Sequence, residues 1–382
     1  LIRGLAGDGV AHVGVTAGGI YAVSTLGSLL GTLAAVWLFL YLPLLAGFAG
    51  TAVLVVLPVL LLRPLAAVIA LAGSLAMLAV SANPAASLTD PDAEQGYRLL
   101  ETRRSPYGEV RVIERESSIR YMVVNGFSQG GIFLETGVSA YNFDDGLVGL
   151  GRLYAATPPE KVLLIGLGPG VIATALENRG LQVDAVEIDA EVVRTAVDYF
   201  GYHGVASVED GRRFLQRSDA EWDVIIVDAF AGGSPPWQLF TQEAFALYRQ
   251  HLGPGGVVVL NFIGSHRDPA QRPALESVVS TARQVFSTVD VYPNPWQSAD
   301  ALVRNIFIAA TDTPLAADRR SPGDPRKAES LMTAITRTRP LPVGEGRLLT
   351  DDSAPLEPLT RRTAEILRNR VREYIPAGLL IR

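Results

Sequence analysis

The amino-acid sequence predicts an α/β protein in which N-terminal transmembrane helices precede a small β-hairpin domain and a doubly wound domain. Three observations carry this prediction: long charge-free runs near the N-terminus, a central glycine motif between a strand and a helix, and strands that alternate with helices around that motif. Such alternation is typical of a mostly parallel sheet covered by helices on both faces. The predicted domains are a transmembrane anchor (1–85), a small β-domain (86–154), a nucleoside-binding domain (155–320) and a C-terminal segment with a helix (321–382).

The N-terminal part of the chain is strongly apolar. The 382 residues are 48% hydrophobic, with a mean hydropathy of +0.25. Three successive runs without charged side chains, 13–42, 44–62 and 65–82, approach or exceed the ~20 residues that cross a bilayer. They predict a multi-pass anchor of two to three helices in the inner (plasma) membrane, with the lipid bilayer as a partner. Buried helices of a globular core are the alternative interpretation.

The side of the membrane is left open by the sequence. Positive-inside reasoning on Arg3 and Arg63 would place the rest of a three-span chain outside, whereas a site for a cytosolic nucleoside requires the cytoplasm. We favour the cytoplasmic side, because the predicted nucleoside site requires it. Because the chain begins at Leu1 and enters the first run almost at once, we expect it to be a piece of a longer membrane protein.

The composition and net charge of the chain limit the kinds of site and partner that it can have. The net charge is −6, which does not indicate a nucleic-acid-binding surface. The absence of cysteine excludes disulfides, thiolate metal ligands and cysteine nucleophiles. The four histidines lie far apart in the sequence, so no metal site is expected. A small-molecule partner is therefore expected, and a homo-oligomer is allowed.

The glycine motif within 161–189 predicts a nucleoside-binding site. An apolar strand leads into Gly166, Gly168 and Gly170, which allow a tight turn and a close approach of the backbone to a ligand. A helix and a second strand follow, and the second strand ends at Glu187. An acid about 20 residues past such glycines can accept hydrogen bonds from both ribose hydroxyls.

The residues around this motif favour a methyltransferase-like (Rossmann-type) fold over a dinucleotide-binding one. Pro169 removes an N–H group that a pyrophosphate would need, and Glu209-Asp210-Gly211 adds negative charge beside the predicted pocket. Both features suit an uncharged or cationic nucleoside such as a sulfonium, and Asp210 could face the adenine amino group. A glycine turn that serves only helix packing is the alternative.

Asp228 is the predicted catalytic residue. It ends an apolar strand that begins at Trp222, and it opens a loop containing Gly232 and Gly233. Ligands of open α/β sheets bind beyond the carboxyl ends of the strands, where Asp228 joins the other two acids. A carboxylate there could remove a proton from an attacking amine. The alternative is that Asp228 merely caps the loop.

The rest of the chain after the apolar runs is divided into strands, helices and a final segment. Short strands with hairpin turns are predicted at 109–115, 119–125 and 130–135. Further strands are predicted from residue 161 to residue 310, and a final helix at 360–374.

Several motifs occur in an order that resembles a known family. They include Ser105-Pro-Tyr-Gly, Val124-Asn125-Gly126-Phe-Ser-Gln129, Val186-Glu187-Ile188-Asp189, Glu209-Asp210-Gly211 and Leu349-Thr350-Asp351-Asp352. Together they resemble the spermidine synthase (polyamine aminopropyltransferase) family. The apolar segment from Gly19 resembles a fused membrane module, so the resemblance is to the membrane-bound branch in which the synthase-like domain follows transporter-like helices.

The resemblance implies an activity and a set of site residues. An aminopropyl group would pass from decarboxylated S-adenosylmethionine to a polyamine, without a metal, and Asp228 would take the proton from the attacking amine. The implied donor-binding residues are Gly166, Gly168, Gly170, Glu187, Asp189, Asp210, Gly211 and Gln129. The implied acceptor-binding residues are Tyr107, Tyr141, Asp351 and Asp352.

The chain also departs from the family pattern. Pro169 stands where the family has an aspartate that holds the free amine of the donor, and Ala229-Phe-Ala-Gly-Gly lacks the family's second aspartate. The family's glutamine after Tyr107 is Gly108, and the aspartate of its hairpin is Asn125. Two alternatives therefore remain: a methyltransferase that uses S-adenosylmethionine, and a non-catalytic nucleoside- or polyamine-binding domain attached to a transporter.

Overall fold

The computed structural model describes residues 10–41, 96–141, 144–230, 233–295, 297, 301–313 and 340–380. It divides the chain into two compact units, Leu1–Pro91 with Arg382 and Asp92–Ile381. In the first unit the described element is helix α1, Val10–Tyr41. All the other elements belong to the second unit.

The predicted transmembrane anchor is wrong for the described residues. In the part of the chain that the structure describes, no helix is both long and apolar enough to cross a membrane. This finding contradicts the N-terminal part of the predicted fold class and the predicted multi-pass localisation. The second and third predicted runs, 44–62 and 65–82, lie outside the described residues.

A four-stranded antiparallel sheet begins the second unit. Its strands follow one another in the order β1 (Tyr97–Ser105), β2 (Gly108–Arg115), β3 (Ile119–Val124) and β4 (Phe127–Phe133). Residues 125 and 126, Asn and Gly, join β3 to β4 with φ angles of 52° and 80°. These angles fit a two-residue hairpin turn, and they explain why an Asn-Gly pair stands there.

A seven-stranded sheet forms the centre of the unit. Its strands are β5 (Lys161–Ile165), β6 (Gln182–Glu187), β7 (Ala206–Val208), β8 (Trp222–Val227), β9 (Leu252–Gly264), β10 (Thr288–Pro293) and β11 (Arg304–Thr311). Their order is β10-β11-β9-β8-β5-β6-β7. Strands β5 to β9 pair in parallel, whereas β11 pairs antiparallel with β9 and β10. This topology agrees with the predicted doubly wound, mostly parallel sheet.

Helices cover both faces of this sheet. In chain order the helices of this unit are α2 (Asp144–Tyr154), α3 (Val171–Glu177), α4 (Ala190–Phe200), α5 (Gly211–Arg217), α6 (Gln242–Gln250), α7 (Arg272–Ala282), α8 (Leu356–Tyr374) and α9 (Ala377–Leu380). Of these, α9 packs against buried side chains of the four-stranded sheet instead. Successive strand residues alternate between the faces: Leu164 packs with the buried side chains of α2 and α3, and Leu163 packs with those of α6 and α7. Burial on both faces explains why these strands are continuous apolar runs.

The C-terminal helices dock on this framework through hydrogen bonds to buried side chains. Within α8, the hydroxyl of Thr363 donates to the side-chain oxygen of Gln271 at 2.7 Å. After α8, the buried guanidinium of Arg111 on β2 donates to the carbonyl of Leu379 at 2.6 Å. The C-terminal segment is therefore tied to buried polar side chains at two points.

Candidate active site

A cavity of about 460 Å³ lies at the carboxyl ends of the parallel strands. Its size is within the range of small-molecule sites, ~300–1,000 Å³. Its walls come from the β3–β4 hairpin, the loops after β5, β6, β7 and β8, the start of β11, and α8. Ten of the predicted site residues line it: Tyr107, Gln129, Tyr141, Gly166, Gly168, Glu187, Asp189, Asp210, Gly211 and Asp228.

The glycine loop brings three strand ends together. Gly166 has a φ of 95°, and a Cβ at this position would overlap the carbonyl oxygen of Asp228. The N–H of Gly166 donates to Val186 at 2.8 Å, and the N–H of Asp228 donates to Ile165 at 2.9 Å. Gly170 caps α3 and lies outside the cavity lining. Only glycine fits at Gly166, because both its φ and the neighbouring backbone exclude a side chain.

Glu187 is held in place by backbone groups of its own loops. Its carboxylate accepts from the N–H of Leu167 at 3.0 Å and from the N–H of Asp189 at 3.1 Å. Burial raises its pKa, and these hydrogen bonds oppose the rise because they favour the charged form. Each carboxylate oxygen has a second lone-pair direction, so the group can also accept from hydroxyls in the cavity.

Asp189 lines the cavity, but its carboxylate already accepts hydrogen bonds from other groups of the protein. Its side chain is buried, caps α4 by accepting from the N–H of Glu191 at 2.9 Å, and accepts from the hydroxyl of Ser105 at 2.6 Å. The second bond joins the end of β1 to the start of α4. Direct binding of the donor by Asp189 stays a prediction. The observed contacts are those of a residue that caps a helix.

Asp210 begins α5 at the far side of the glycine loop. One carboxylate oxygen caps the helix by accepting from the N–H of Arg213 at 2.9 Å. The other is available to a ligand in the cavity that the residue lines. Gly211 follows, where a Cβ would overlap the side chain of Ile165. A larger residue would push the start of α5 away from β5.

Asp228 is half-buried, and among the described residues its carboxylate accepts one side-chain hydrogen bond. The amide of Asn261 on β9 donates to its carboxylate at 2.7 Å. Burial raises the pKa of Asp228 to about 6, although the hydrogen bond from Asn261 lowers it. A carboxylate with this pKa is largely ionised near neutral pH and is a stronger base than an exposed aspartate, as a general base requires.

Asn261 belongs to a chain of side-chain amides that sequence reasoning missed. Its oxygen accepts from the amide of Asn305 on β11 at 3.0 Å. The oxygen of Asn305 accepts from the amide of Gln297 at 2.9 Å, and the backbone N–H of Asn305 donates back to Gln297 at 2.8 Å. The sequence signal is an asparagine within each of two strands, Asn261 in the apolar run of β9 and Asn305 near the start of β11.

Tyrosines form another wall of the cavity. The hydroxyl of Tyr141 lies 2.7 Å from that of Ser128 and 3.5 Å from that of Tyr374 on α8. Burial raises the pKa of Tyr141 well above its ordinary value, so the phenol stays neutral. Tyr107 is half exposed at the β1–β2 turn, and its carbonyl accepts from the amide of Asn125 at 3.1 Å.

The structure does not bring Asp351 and Asp352 to the cavity lining. Asp351 forms a two-pronged ion pair with Arg212 at 2.7 and 2.5 Å, and it accepts from the hydroxyl of Thr241 at 2.7 Å. Asp352 is exposed. Their predicted role in acceptor binding gains no support from this geometry, whereas the ion pair of Asp351 joins α5 to the segment before α8.

Three charged residues of the cavity lining were not singled out from the sequence. Asp144 lies at the start of α2 and accepts from the hydroxyl of Ser139. Arg304 begins β11, and Arg370 lies on α8. Nothing in their local sequence marks them, because each reaches the cavity only through the tertiary fold.

Comparison with known proteins agrees with this geometry. Residues 147–313 match the model of the spermine/spermidine synthase domain. A probable polyamine aminopropyl transferase of Bifidobacterium longum (strain NCC 2705) is 34% identical over 163 residues, which are 39% of this chain and 36% of that protein. An N-terminal histidine N-methyltransferase of Emericella nidulans is 27% identical over 227 residues, which are 53% of this chain and 38% of that protein.

A solved structure shows the same fold. The crystal structure of a probable spermidine synthase from Corynebacterium glutamicum ATCC 13032 has a TM-score of 0.52 and 21% identity, covering 63% of this chain and 86% of that one. Residues 147–313 therefore resemble a spermine/spermidine synthase domain, and the second unit has the same α/β fold as that structure. It spans little more than a third of the length of the two relatives above. The matches do not support the predicted membrane-bound branch or the fusion to transporter-like helices.

Proposed function

We propose, on the premise that residues 147–313 form a spermine/spermidine synthase domain, that the chain transfers an aminopropyl group from decarboxylated S-adenosylmethionine to an amine acceptor. The observation that carries this proposal is the position of Asp228, a half-buried aspartate with a raised pKa that faces the same cavity as the glycine loop and Glu187. The relatives named as polyamine aminopropyltransferases support a polyamine-type amine as the acceptor class.

The donor is assigned to the side of the cavity built by β5, β6 and β7. Glu187 would accept from the two ribose hydroxyls, and Asp210 would accept from the adenine amino group. Gln129 on β4 lies against Gly168 and would bound the sulfonium and its propyl chain. Four acids line this side of the cavity and would attract a cationic donor: Glu187, Asp189, Glu209 and Asp210.

The transfer is a displacement at carbon. The acceptor nitrogen attacks the carbon next to the sulfonium, a C–N bond forms, and the C–S bond breaks with its electron pair going to sulfur. The product thioether is methylthioadenosine, and Asp228 takes the proton that the new ammonium group loses. Because the sulfonium is already a good leaving group, alignment and one base supply most of the acceleration.

The test is Asp228→Asn, which keeps the volume of the side chain but removes its basicity. Turnover of decarboxylated S-adenosylmethionine should fall by about 100- to 10,000-fold, while the affinity for methylthioadenosine measured by calorimetry stays nearly the same. Asp219→Asn is the matched control, because Asp219 is exposed outside the cavity lining. Full transfer by the Asp228 variant would show that another group accepts the proton.

A second candidate is methyl transfer from S-adenosylmethionine. Pro169 lines the cavity and carries no charge that would repel the α-carboxylate of that donor. The similarity to a histidine N-methyltransferase also favours it. Thermal-shift titrations with the two donors decide between the candidates: a larger stabilisation by S-adenosylmethionine than by its decarboxylated form would favour methyl transfer.

A further inference from the structure

One wall of the cavity links a carboxylate to a tyrosine. The segment after β4 folds back along that strand, since Ser139 pairs antiparallel with Ile132. The hydroxyl of Ser139 accepts from the N–H of Tyr141 at 3.1 Å and donates to the carboxylate of Asp144. Both Tyr141 and Asp144 line the cavity, and Ser139 holds them next to each other.

Three hydroxyl groups meet on this wall and form the hydroxyl cluster of Ser128, Tyr141 and Tyr374. The phenol oxygen of Tyr141 lies 2.7 Å from Oγ of Ser128 and 3.5 Å from the phenol oxygen of Tyr374. The ring of Tyr374 packs on the ring of Tyr121, with 6.0 Å between the centroids. Burial raises the pKa of Tyr141 and of Tyr374, so both phenols stay neutral. Each hydroxyl carries one hydrogen and two lone pairs, so the cluster has more acceptor positions than hydrogens to fill them.

The hydroxyl cluster lies close to the loops that hold the proposed base and the donor. The ring of Phe127, just before Ser128, packs against Gly233 in the loop after β8, where it would overlap a Cβ. The carbonyl of Gln129, just after Ser128, would lie 3.5 Å from a Cβ at Gly168 in the glycine loop. Ser128 is therefore flanked by contacts to both loops, which places the cluster beside the path of an acceptor.

A cation bound among these hydroxyls needs a negative charge nearby. Arg370, one turn before Tyr374 on α8, donates to the carbonyl of Val303 at 3.1 Å, and its positive charge acts on the Tyr374 phenol. Neutral hydroxyls beside that charge would hold an ammonium group poorly. Apart from the proposed base and the four acids of the donor side, Asp144 is the acid of the described cavity lining. It begins α2, which packs against β9 and β11, away from the donor strands.

We infer that Asp144 and the hydroxyl cluster bind the far ammonium group of the acceptor and thereby select diamines over monoamines. This inference rests on the proposed function, since it places the reacting nitrogen of the acceptor at Asp228. The far ammonium group would donate to the carboxylate of Asp144 and to the oxygens of the cluster. The site supplies the acceptor-binding carboxylate that the sequence assigned to Asp351 and Asp352. A monoamine would leave this carboxylate without a cation from the substrate.

The experiment uses the full chain with 1,4-diaminobutane and 1-aminobutane as acceptor probes, which differ only in the far ammonium group. Calorimetry in the presence of saturating methylthioadenosine measures acceptor binding, and product analysis with decarboxylated S-adenosylmethionine measures transfer. We expect the diamine to bind about 10- to 100-fold more tightly than the monoamine, since a charge-assisted hydrogen bond to Asp144 is at stake.

Two variants should reduce this preference by different amounts. Asp144→Asn still offers an acceptor to Ser139 but loses the charge, and it should remove most of the preference, about 10-fold or more. Tyr374→Phe keeps the ring on Tyr121 but removes the hydroxyl, and it should lower the preference by about 3-fold. Neither variant should change the affinity for methylthioadenosine, which reports an intact fold.

Each variant has a matched control. Tyr199→Phe also removes a phenol hydroxyl, because Tyr199 donates to Glu101 at 3.2 Å outside the cavity lining. Asp219→Asn also removes a carboxylate, and Asp219 is exposed outside the lining. Both controls should leave the preference for the diamine intact.

The outcomes separate this inference from the proposed function. Equal binding of the two probes would overturn the inference, and so would a preference that either Asp144→Asn or Tyr374→Phe leaves unchanged. If the diamine accepts the aminopropyl group while both variants leave the preference unchanged, the proposed function stands and the inference fails. If the preference depends on both residues but no aminopropyl group is transferred, the inference stands and the proposed transfer fails.

Discussion

The donor side and the acceptor side of the cavity are built in different ways. On the donor side, Glu187 and Asp210 accept hydrogen bonds from backbone N–H groups. The donors include Asp189 and Arg213, which lie two and three residues after the respective acids. On the acceptor side, Asp228 is fixed by Asn261, a side chain from the next strand that depends in turn on others. A site held by neighbouring backbone is encoded locally, whereas a site held by side-chain amides exists only after the sheet has formed.

The largest effect expected on the donor side comes from Glu187→Ala. The variant removes the acceptor for two ribose hydroxyls and also leaves the N–H groups of Leu167 and Asp189 without their partner. Affinity for methylthioadenosine should fall by about 100-fold or more, since hydrogen bonds to a charged group are worth ~1.5–3 kcal/mol each. Isothermal calorimetry measures it.

Two control variants test whether weaker binding reflects the lost ribose contacts or a loss of the fold. Glu187→Gln still offers an acceptor to the loop N–H groups and should retain the fold while weakening binding less than the alanine variant. Glu160→Ala replaces an exposed glutamate outside the cavity lining and should bind normally. Unchanged affinity in Glu187→Ala would remove Glu187 from the proposed donor site.

The acceptor side responds differently, through the pH dependence of turnover. The hydrogen bond from Asn261 favours ionised Asp228, so Asn261→Leu should raise the pKa of Asp228 above about 6. The acidic limb of the kcat profile should then move to higher pH by about one unit, the equivalent of one charge-assisted hydrogen bond. Activity lost at pH 6 to 7 should largely return near pH 8.

A variant one link further out sharpens this prediction. Gln297→Leu removes the support of Asn305 but leaves the bond between Asn261 and Asp228, so the limb should move less. A merely structural defect would lower kcat at every pH instead. An unshifted limb in Asn261→Leu would mean that Asp228 is not the group that titrates in turnover.

The difference between the two sides also explains what the sequence could predict. Gly166, Glu187 and Asp210 could be placed at the cavity from the sequence, because each stands at or just after the end of a strand in successive βα repeats. Arg304 and Arg370 could not be recognised as cavity residues, because they lie far apart in the sequence. They meet only when α8 docks beside the start of β11. Asn125, read as a departure from a binding aspartate, instead supplies a left-handed turn residue whose amide ties two hairpins.

The fold was predictable to a similar limit. The apolar strands β5, β8 and β9 are buried on both faces and are therefore clear in the sequence. Strand β1 was missed because its second half carries charged side chains, such as Arg103, which pairs with Asp198 on α4 at 2.6 Å. Such a strand lacks the apolar alternation on which the prediction depends.

The smallest expected effect separates structure from substrate binding at Asp351. If its ion pair with Arg212 serves to attach the segment before α8, Asp351→Asn should lower the free energy of unfolding by about 1 kcal/mol and leave the acceptor KM unchanged. Arg212 lowers the pKa of Asp351 below its ordinary 3.8. The ionised group therefore stabilises the fold above that pH, and its advantage over the variant should disappear as pH falls through the lowered pKa. Denaturant unfolding at pH 7 and pH 3 measures this difference, with the exposed Asp352→Asn as the matched control. A raised acceptor KM with unchanged stability would return Asp351 to the acceptor site that the sequence predicted for it.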